Sequence, residues 1–123
     1  MEDEAPLLVI VDGANVVGSR PDGWWRDRKG AAERLRDRLA EQGLPGHPTP
    51  VELVLVVEGA ARGVESVAGV RVESAPGSGD DRIVELAADD PGRPRLVVTA
   101  DRELRRRVTE LGAEVVGPRS VLG

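Results

Sequence analysis

Two stretches of this chain, LLVIV at 7–11 and LVLVV at 53–57, are unbroken runs of aliphatic, largely β-branched residues. A strand wetted on one face alternates apolar with polar side chains. A run that is apolar throughout belongs to a strand covered on both faces, the usual situation in a parallel sheet flanked by helices. Shorter segments at 70–72, 96–99 and 114–116 read as three further strands.

Between the strands the spacing becomes helical. Over 28–41, Ala32, Leu35 and Leu39 share a face, Asp27 stands where a cap is needed, and Gly43 with Pro45 ends the run. A second helix is predicted over about 81–88, with Ile83, Val84 and Ala87 inward. A third spans 102–111, with Leu104, Val108 and Leu111 inward and Gly112 as its stop. The small-residue segment 59–68 is expected to hold a short helix, and GLPGHPTP and DDPGRP read as turns. The alternation β-α-β-α-β-α-β-α-β predicts one three-layer, Rossmann-like α/β domain over 1–123. Its doubly wound parallel sheet would have about five strands in the order 3-2-1-4-5, with right-handed crossovers and the first and fourth strands adjacent.

At 123 residues the chain is long enough for one core and short for two. Phe and Tyr are absent, so that core must be aliphatic, and the absence of Cys excludes disulfides and thiolate zinc sites. The opening MEDEAPLLVIV is acidic where a secretory signal would be basic, and no apolar run approaches the ~18 residues of a membrane span. A cytoplasmic protein with no membrane partner is expected. A net charge of −5 argues against broad coating of a nucleic acid, which needs clustered Arg and Lys, and leaves room for a local basic patch.

The acids carry the chemistry. Asp12 directly follows the first strand and Asp101 lies just past the fourth, so both stand at carboxyl ends of the sheet, where open α/β folds form their ligand crevice. If those strands are neighbours the carboxylates meet at the switch point, and the loop PGSGDD at 76–81 brings Asp80 or Asp81 to them. Carboxylates packed together resist ionising unless a cation neutralises them. With no Cys, the implied cofactor is a hard ion, Mg²⁺ or Mn²⁺, able to activate water and stabilise charge on a phosphoryl group. Each acid also has a local role open to it, Asp101, Asp80 and Asp81 at helix starts and Asp12 in a turn. Capping alone does not explain why they gather at the ends of adjacent strands.

The motifs VIVDGANVVG at 9–18, GSGDDRIVELA at 77–87 and VVTADREL at 97–104 follow one another in the order found in PIN-like nucleases. Together they resemble the NYN branch of that superfamily over nearly the whole chain. The resemblance implies a PIN-like fold and a metal-dependent endoribonuclease that hydrolyses RNA phosphodiester bonds. It implies Asp12 as the first metal ligand, Asp101 as the acid after the fourth strand, and Asp81 as the helix-start acid with Asp80 its rival. Asn15 would be a polar neighbour that orients ligand or substrate. Glu58 stands where related domains commonly carry Asp, which gives it a supporting or second-metal role, and Thr99 stands where the family often carries Ser or Thr.

GANVVGSR at 13–20 has the glycines of a phosphate loop, but Ser19 occupies the place of the required Lys, which excludes a P-loop ATPase. Trp24 and Trp25 lie in a polar loop where they can stack on unpaired bases, although one or both are also expected to cover a core that lacks other aromatics. Arg26, Arg28 and Lys29 beside them, and Arg102, Arg105, Arg106 and Arg107 beside Asp101, suit a nucleic-acid backbone unless Glu partners occupy them. Trp24, Arg26, Thr99 and Arg102 are the expected substrate contacts. His47, in a proline-rich turn, is expected to be exposed and without a catalytic role. The expected partner is RNA, single-stranded or structured, with a protein or ribosome-associated partner in addition. Two alternatives use the same fold: a non-catalytic RNA- or protein-binding module, and a small-nucleotide (NTP) pyrophosphohydrolase.

Overall fold

A computed structural model describes residues 6–47 and 50–122. The acidic segment at 1–5, and Pro48 and Thr49 of the GLPGHPTP turn, lie outside the described residues. The strands are β1 (Leu7–Asp12), β2 (Val51–Val57), β3 (Val70–Ser74), β4 (Arg95–Val98) and β5 (Glu114–Val116). They form a five-stranded sheet in the order β3-β2-β1-β4-β5, parallel at every pairing. This is the single α/β domain with the 3-2-1-4-5 order that the apolar runs predict, an order consistent with a PIN-like fold.

The helices are α1 (Gly13–Gly18), α2 (Arg28–Gln42), α3 (Gly79–Asp89), α4 (Arg102–Glu110) and α5 (Arg119–Leu122). Successive side chains of a strand point to opposite faces, so each apolar run feeds two cores. Val9 and Val11 of β1 pack with Val16 of α1, with Ala32, Leu35 and Leu39 of α2, and with Val121 of α5. Leu8 and Ile10 pack on the other face with Ile83, Leu86 and Ala87 of α3 and with Leu104 and Val108 of α4. No described helix is long and apolar enough to cross a membrane.

Two departures from the sequence pattern have local causes. The segment 59–68 holds only a 3-10 turn at Gly59–Ala61, because Gly59 and Gly63 within it and Gly69 just after it adopt φ of 57, 94 and 88° and repeatedly break right-handed helix. α1, six residues long, begins directly at the end of β1 in a glycine-containing stretch with no helical periodicity to announce it. Its start is set by sterics. A Cβ on Gly13 would lie 2.6 Å from the Val56 carbonyl oxygen, so only glycine lets α1 turn this tightly over β2.

Several arginines are structural. Arg95, 5% exposed at the start of β4, donates to the carbonyls of Arg93, Ala87, Pro91 and Leu111, gathering the ends of α3 and α4. Arg38 donates to the carbonyls of Val121 and Leu122 at 2.8 Å each, and Arg20 to that of Leu122 at 2.6 Å, which ties α5 to α2.

Gly13→Ala is expected to destabilise the fold by about 1–3 kcal/mol in urea unfolding, because a backbone carbonyl of β2 must shift. Gly77→Ala, with nothing within 4 Å of its added Cβ, should stay within about 0.5 kcal/mol of the parent.

Candidate functional site

The carboxyl edge of the sheet is organised around Asp12. As the last residue of β1 and the cap of α1, Asp12 accepts through Oδ1 from the Asn15 backbone N–H at 3.4 Å and through Oδ2 from the Thr99 hydroxyl at 2.8 Å. Thr99 follows β4, and its Oγ1 also accepts from the Asp101 N–H at 3.1 Å. The Asn15 side-chain oxygen accepts from the Ala100 N–H at 2.8 Å. The ends of β1 and β4 are thereby stitched together at the switch point, where open α/β sheets bind ligands. Asp12 is 4% exposed, and its pKa is pushed up to about 6. Burial is the main cause, partly offset by the Thr99 and Asn15 hydrogen bonds and reinforced by the charges of Asp80 and Glu58.

Three more acids border it. Glu58, directly after β2, accepts through Oε1 from the Gly79 N–H at 2.7 Å, and a Cβ on Gly79 would run into that oxygen. Asp101 caps α4, its Oδ1 accepting from the Leu104 N–H at 2.9 Å. Asp80, in the first turn of α3, has its pKa raised by partial burial first, then by Asp101 and Glu58, against a lowering effect of Arg107.

Of the α3 pair, between which the sequence leaves the choice open with Asp81 favoured by the resemblance, Asp80 is the one that faces Asp12. Helical geometry explains it. Asp80 lies three and seven residues before Ile83 and Ala87, both fully buried, and so on the inward face, whereas Asp81 lies on the outward side. The Ser78 hydroxyl, which caps α3, accepts from the Asp81 N–H at 3.2 Å, and the Asp81 carboxylate, 68% exposed, pairs with Arg107 at 3.2 Å. The S-x-x-D spacing of Ser78 and Asp81 is the signal that could have separated the two acids.

The other expected residues divide. Thr99 is 0% exposed with its hydroxyl engaged inside the protein, so it positions Asp12 and Asp101 and does not offer itself to substrate. Asn15 is half-buried and bridges α1 to the loop after β4. Arg102 is exposed one residue beyond Asp101, and Arg26 is exposed with its guanidinium 5.9 Å from the Trp25 ring centre. Trp24 is half-buried and Trp25 50% exposed, and neither belongs to a core cluster, so the expectation that they cover the core is corrected. Arg105 donates to the Thr99 carbonyl at 2.8 Å, Arg106 pairs with Glu103 and Glu110, and Arg107 pairs with Asp81. His47 is exposed in its turn.

Among the described residues, no three Asp, Glu or His side chains are grouped tightly enough to hold a metal ion as they stand. The donor set nevertheless suits a hard cation. Among the described residues, none of Asp12, Glu58, Asp80 and Asp101 forms an ion pair. Glu58 Oε2, Asp101 Oδ2 and the Asp80 carboxylate carry no hydrogen bond among the same residues. Mg²⁺ commonly keeps several waters and takes only one or two protein carboxylates, so it does not require a preformed cage.

No protein family model matches the chain, and no curated protein matches it. Among solved structures the chain is similar to the crystal structure of a point mutant of Rae1 (YacP) from Bacillus subtilis. The likeness is one of fold. It has a TM-score of 0.71 at 24% identity and covers 94% of this chain and 72% of that one.

The raised pKa of Asp12 has a stability consequence. Between pH 3.8 and about 6 the folded protein keeps a proton that the unfolded chain has released. The contribution is therefore full at low pH and declines as pH rises through that window, by roughly 3 kcal/mol. In chelator at pH 8, Asp12→Asn is expected to resist urea better than the parent, with the difference shrinking toward pH 4. Asp81→Asn, exposed, should change stability by less than about 0.5 kcal/mol at either pH.

Proposed function

We propose that this chain is a metal-dependent ribonuclease of the PIN-like superfamily, NYN branch, acting on RNA phosphodiester bonds. The observation that carries the proposal is Asp12, a buried carboxylate at the β1/β4 switch point with Asp80 and Glu58 acting on it and no cationic side chain paired with any of the three among the described residues. Such an arrangement is unfavourable for the protein alone and becomes favourable with a cation. The three-layer fold shared with Rae1 over 94% of the chain supports the same reading.

Mg²⁺ or Mn²⁺ is the proposed cofactor, held by Asp12, Asp80 and Asp101 with Glu58 beside them. Bound there, it would supply Lewis acidity that lowers the pKa of water and stabilises charge on a phosphoryl oxygen. The chain's own residues prepare the edge. Thr99 fixes the Asp12 carboxylate and the Asp101 backbone at once, and Glu58 fixes the first residue of α3, which keeps Asp80 turned inward. Arg102 and Arg28, both exposed, are proposed to hold phosphates flanking the acidic edge, a task for which Arg20, Arg38, Arg95 and Arg105 are already committed elsewhere. RNA is the proposed partner. The reading as a non-catalytic RNA-binding module draws on one observation, the lack of a tight three-ligand group among the described residues.

Purified protein is expected to cut labelled single-stranded or hairpin RNA in Mn²⁺. Asp12→Asn and Asp80→Asn should each lower the rate by more than about 100-fold, with Asp81→Asn close to the parent. Equal cleavage by the parent and both inward variants would overturn the assignment. RNA bound but left uncut in every divalent ion would favour the binding module.

A further inference from the structure

We infer that the groove between the end of α1 and α5 is a binding site for the phosphate backbone of an RNA strand where it leaves the acidic edge. The inference deepens the ribonuclease reading and takes its meaning from it, while backbone binding is measurable without catalysis. The groove has a volume of about 710 Å³, and Ser19, Arg20, Ala100, Arg119, Ser120 and Leu122 are among its lining residues. That volume lies within the ~300–1,000 Å³ of pockets that take drug-sized ligands, which a nucleotide matches in bulk.

Hydrogen-bond geometry joins the groove to the edge. Ala100, exposed in the groove wall, stands between Asp101 and Thr99, whose hydroxyl bonds to Asp12. Its own N–H bonds to Asn15 Oδ1 at 2.8 Å. A strand whose scissile phosphate sits beside Asp12 and Asp101 therefore meets the groove at Ala100, without crossing another element.

Charge decides what the groove takes. In a chain of net charge −5, its lining contains two arginines and no Asp or Glu. Arg20 spends one N–H on the Leu122 carbonyl at 2.6 Å, which fixes its positive charge in the wall. Arg119 is exposed and forms no ion pair among the described residues, so its guanidinium is the contact open to a ligand. A third guanidinium lies against the groove. Arg105, held by the Thr99 carbonyl, places Nη2 3.5 Å from where a Cβ on Gly117 would stand, and Gly117 is a lining residue.

The positive charge also continues. Arg20 and Leu122 line a second hollow of about 200 Å³ together with Arg34 and Arg38, where Asp22 is the one acid. Arg34 is exposed and, like Arg119, in no ion pair among the described residues. Successive cationic sites along one path suit a polyanion better than a single phosphate. Neither lining holds an aromatic ring on which a base could stack, so the path grips backbone and reads no sequence.

The test is binding of a labelled single-stranded oligoribonucleotide to the full chain, followed by fluorescence anisotropy at fixed Ca²⁺ over a range of KCl, with a gel to confirm that the RNA stays whole. Losing one phosphate contact in a single-strand complex makes the slope of log K against log salt shallower by about 0.7. Arg119→Gln and Arg34→Gln are each expected to do so, and Arg119→Lys to keep the parent slope. Arg71→Gln, which removes the same charge from the edge strand β3 at the far side of the sheet, should leave the slope unchanged. Replacing phosphodiesters one at a time by neutral methylphosphonates should find a linkage whose neutralisation weakens binding by the parent and not by Arg119→Gln, the non-additivity of two groups in contact. A parent-like slope for Arg119→Gln, an equal change in Arg71→Gln, the absence of any such linkage, no RNA binding by the parent, or equal affinity for polyglutamate, as an acidic protein would give, overturns the proposal. RNA cleavage without Arg119-dependent binding removes the groove and leaves the nuclease reading standing. Arg119-dependent binding without cleavage in Mn²⁺ upholds the groove and removes the nuclease reading.

Discussion

The 2.8 Å hydrogen bond from the Thr99 hydroxyl to Asp12 joins the ends of β1 and β4, the two central strands that run to the switch point. Around it the rest of the carboxyl edge is arranged. Thr99 donates to one acid and, through the same oxygen, accepts from the backbone of another, so the orientations of Asp12 and Asp101 are set together. Asn15 closes the ring by accepting from Ala100. A side chain buried to 0% at a sheet edge is what allows a carboxylate 4% exposed to remain hydrogen-bonded without a cationic partner among the described residues.

The neighbouring strand contributes by a different device. Glu58 reaches from the end of β2 to the first amide of α3, and glycine at 79 is required for that approach. The contact fixes where α3 begins and hence which of two adjacent aspartates faces the edge. The result is an electrostatically unfavourable concentration of acids, in which Asp80 and Glu58 raise the pKa of Asp12 and Asp101 and Glu58 raise that of Asp80, maintained by an aliphatic sheet packed on both faces. Stability is given up locally at such sites and supplied by the core elsewhere.

Most of the fold was legible because LLVIV and LVLVV admit few readings and because the α2 and α4 faces repeat at helical spacing. α1 was not legible, since its start depends on how closely Gly13 approaches a carbonyl of another strand. The segment 59–68 misled for the opposite reason: its small residues permit helix, and only the left-handed glycines reveal the turns. At the site, the strand ends placed Asp12 and Asp101 from sequence alone, whereas the choice between Asp80 and Asp81 needed the burial of Ile83 and Ala87. The arginines were the least legible. Arg95, Arg38 and Arg105 bond to carbonyls distant in sequence or beyond any local motif, so composition could not separate them from the exposed Arg26, Arg28 and Arg102.

The central claim is that Asp12, Asp80 and Asp101 together hold a divalent cation. It is tested most directly by anomalous diffraction from crystals soaked in Mn²⁺. One peak at the carboxyl edge, about 2.0–2.6 Å from oxygens of Asp12 and of at least one of Asp80 and Asp101, is the expected result. An edge without a peak at saturating Mn²⁺, or a peak on the outward Asp81 in its place, would contradict the account.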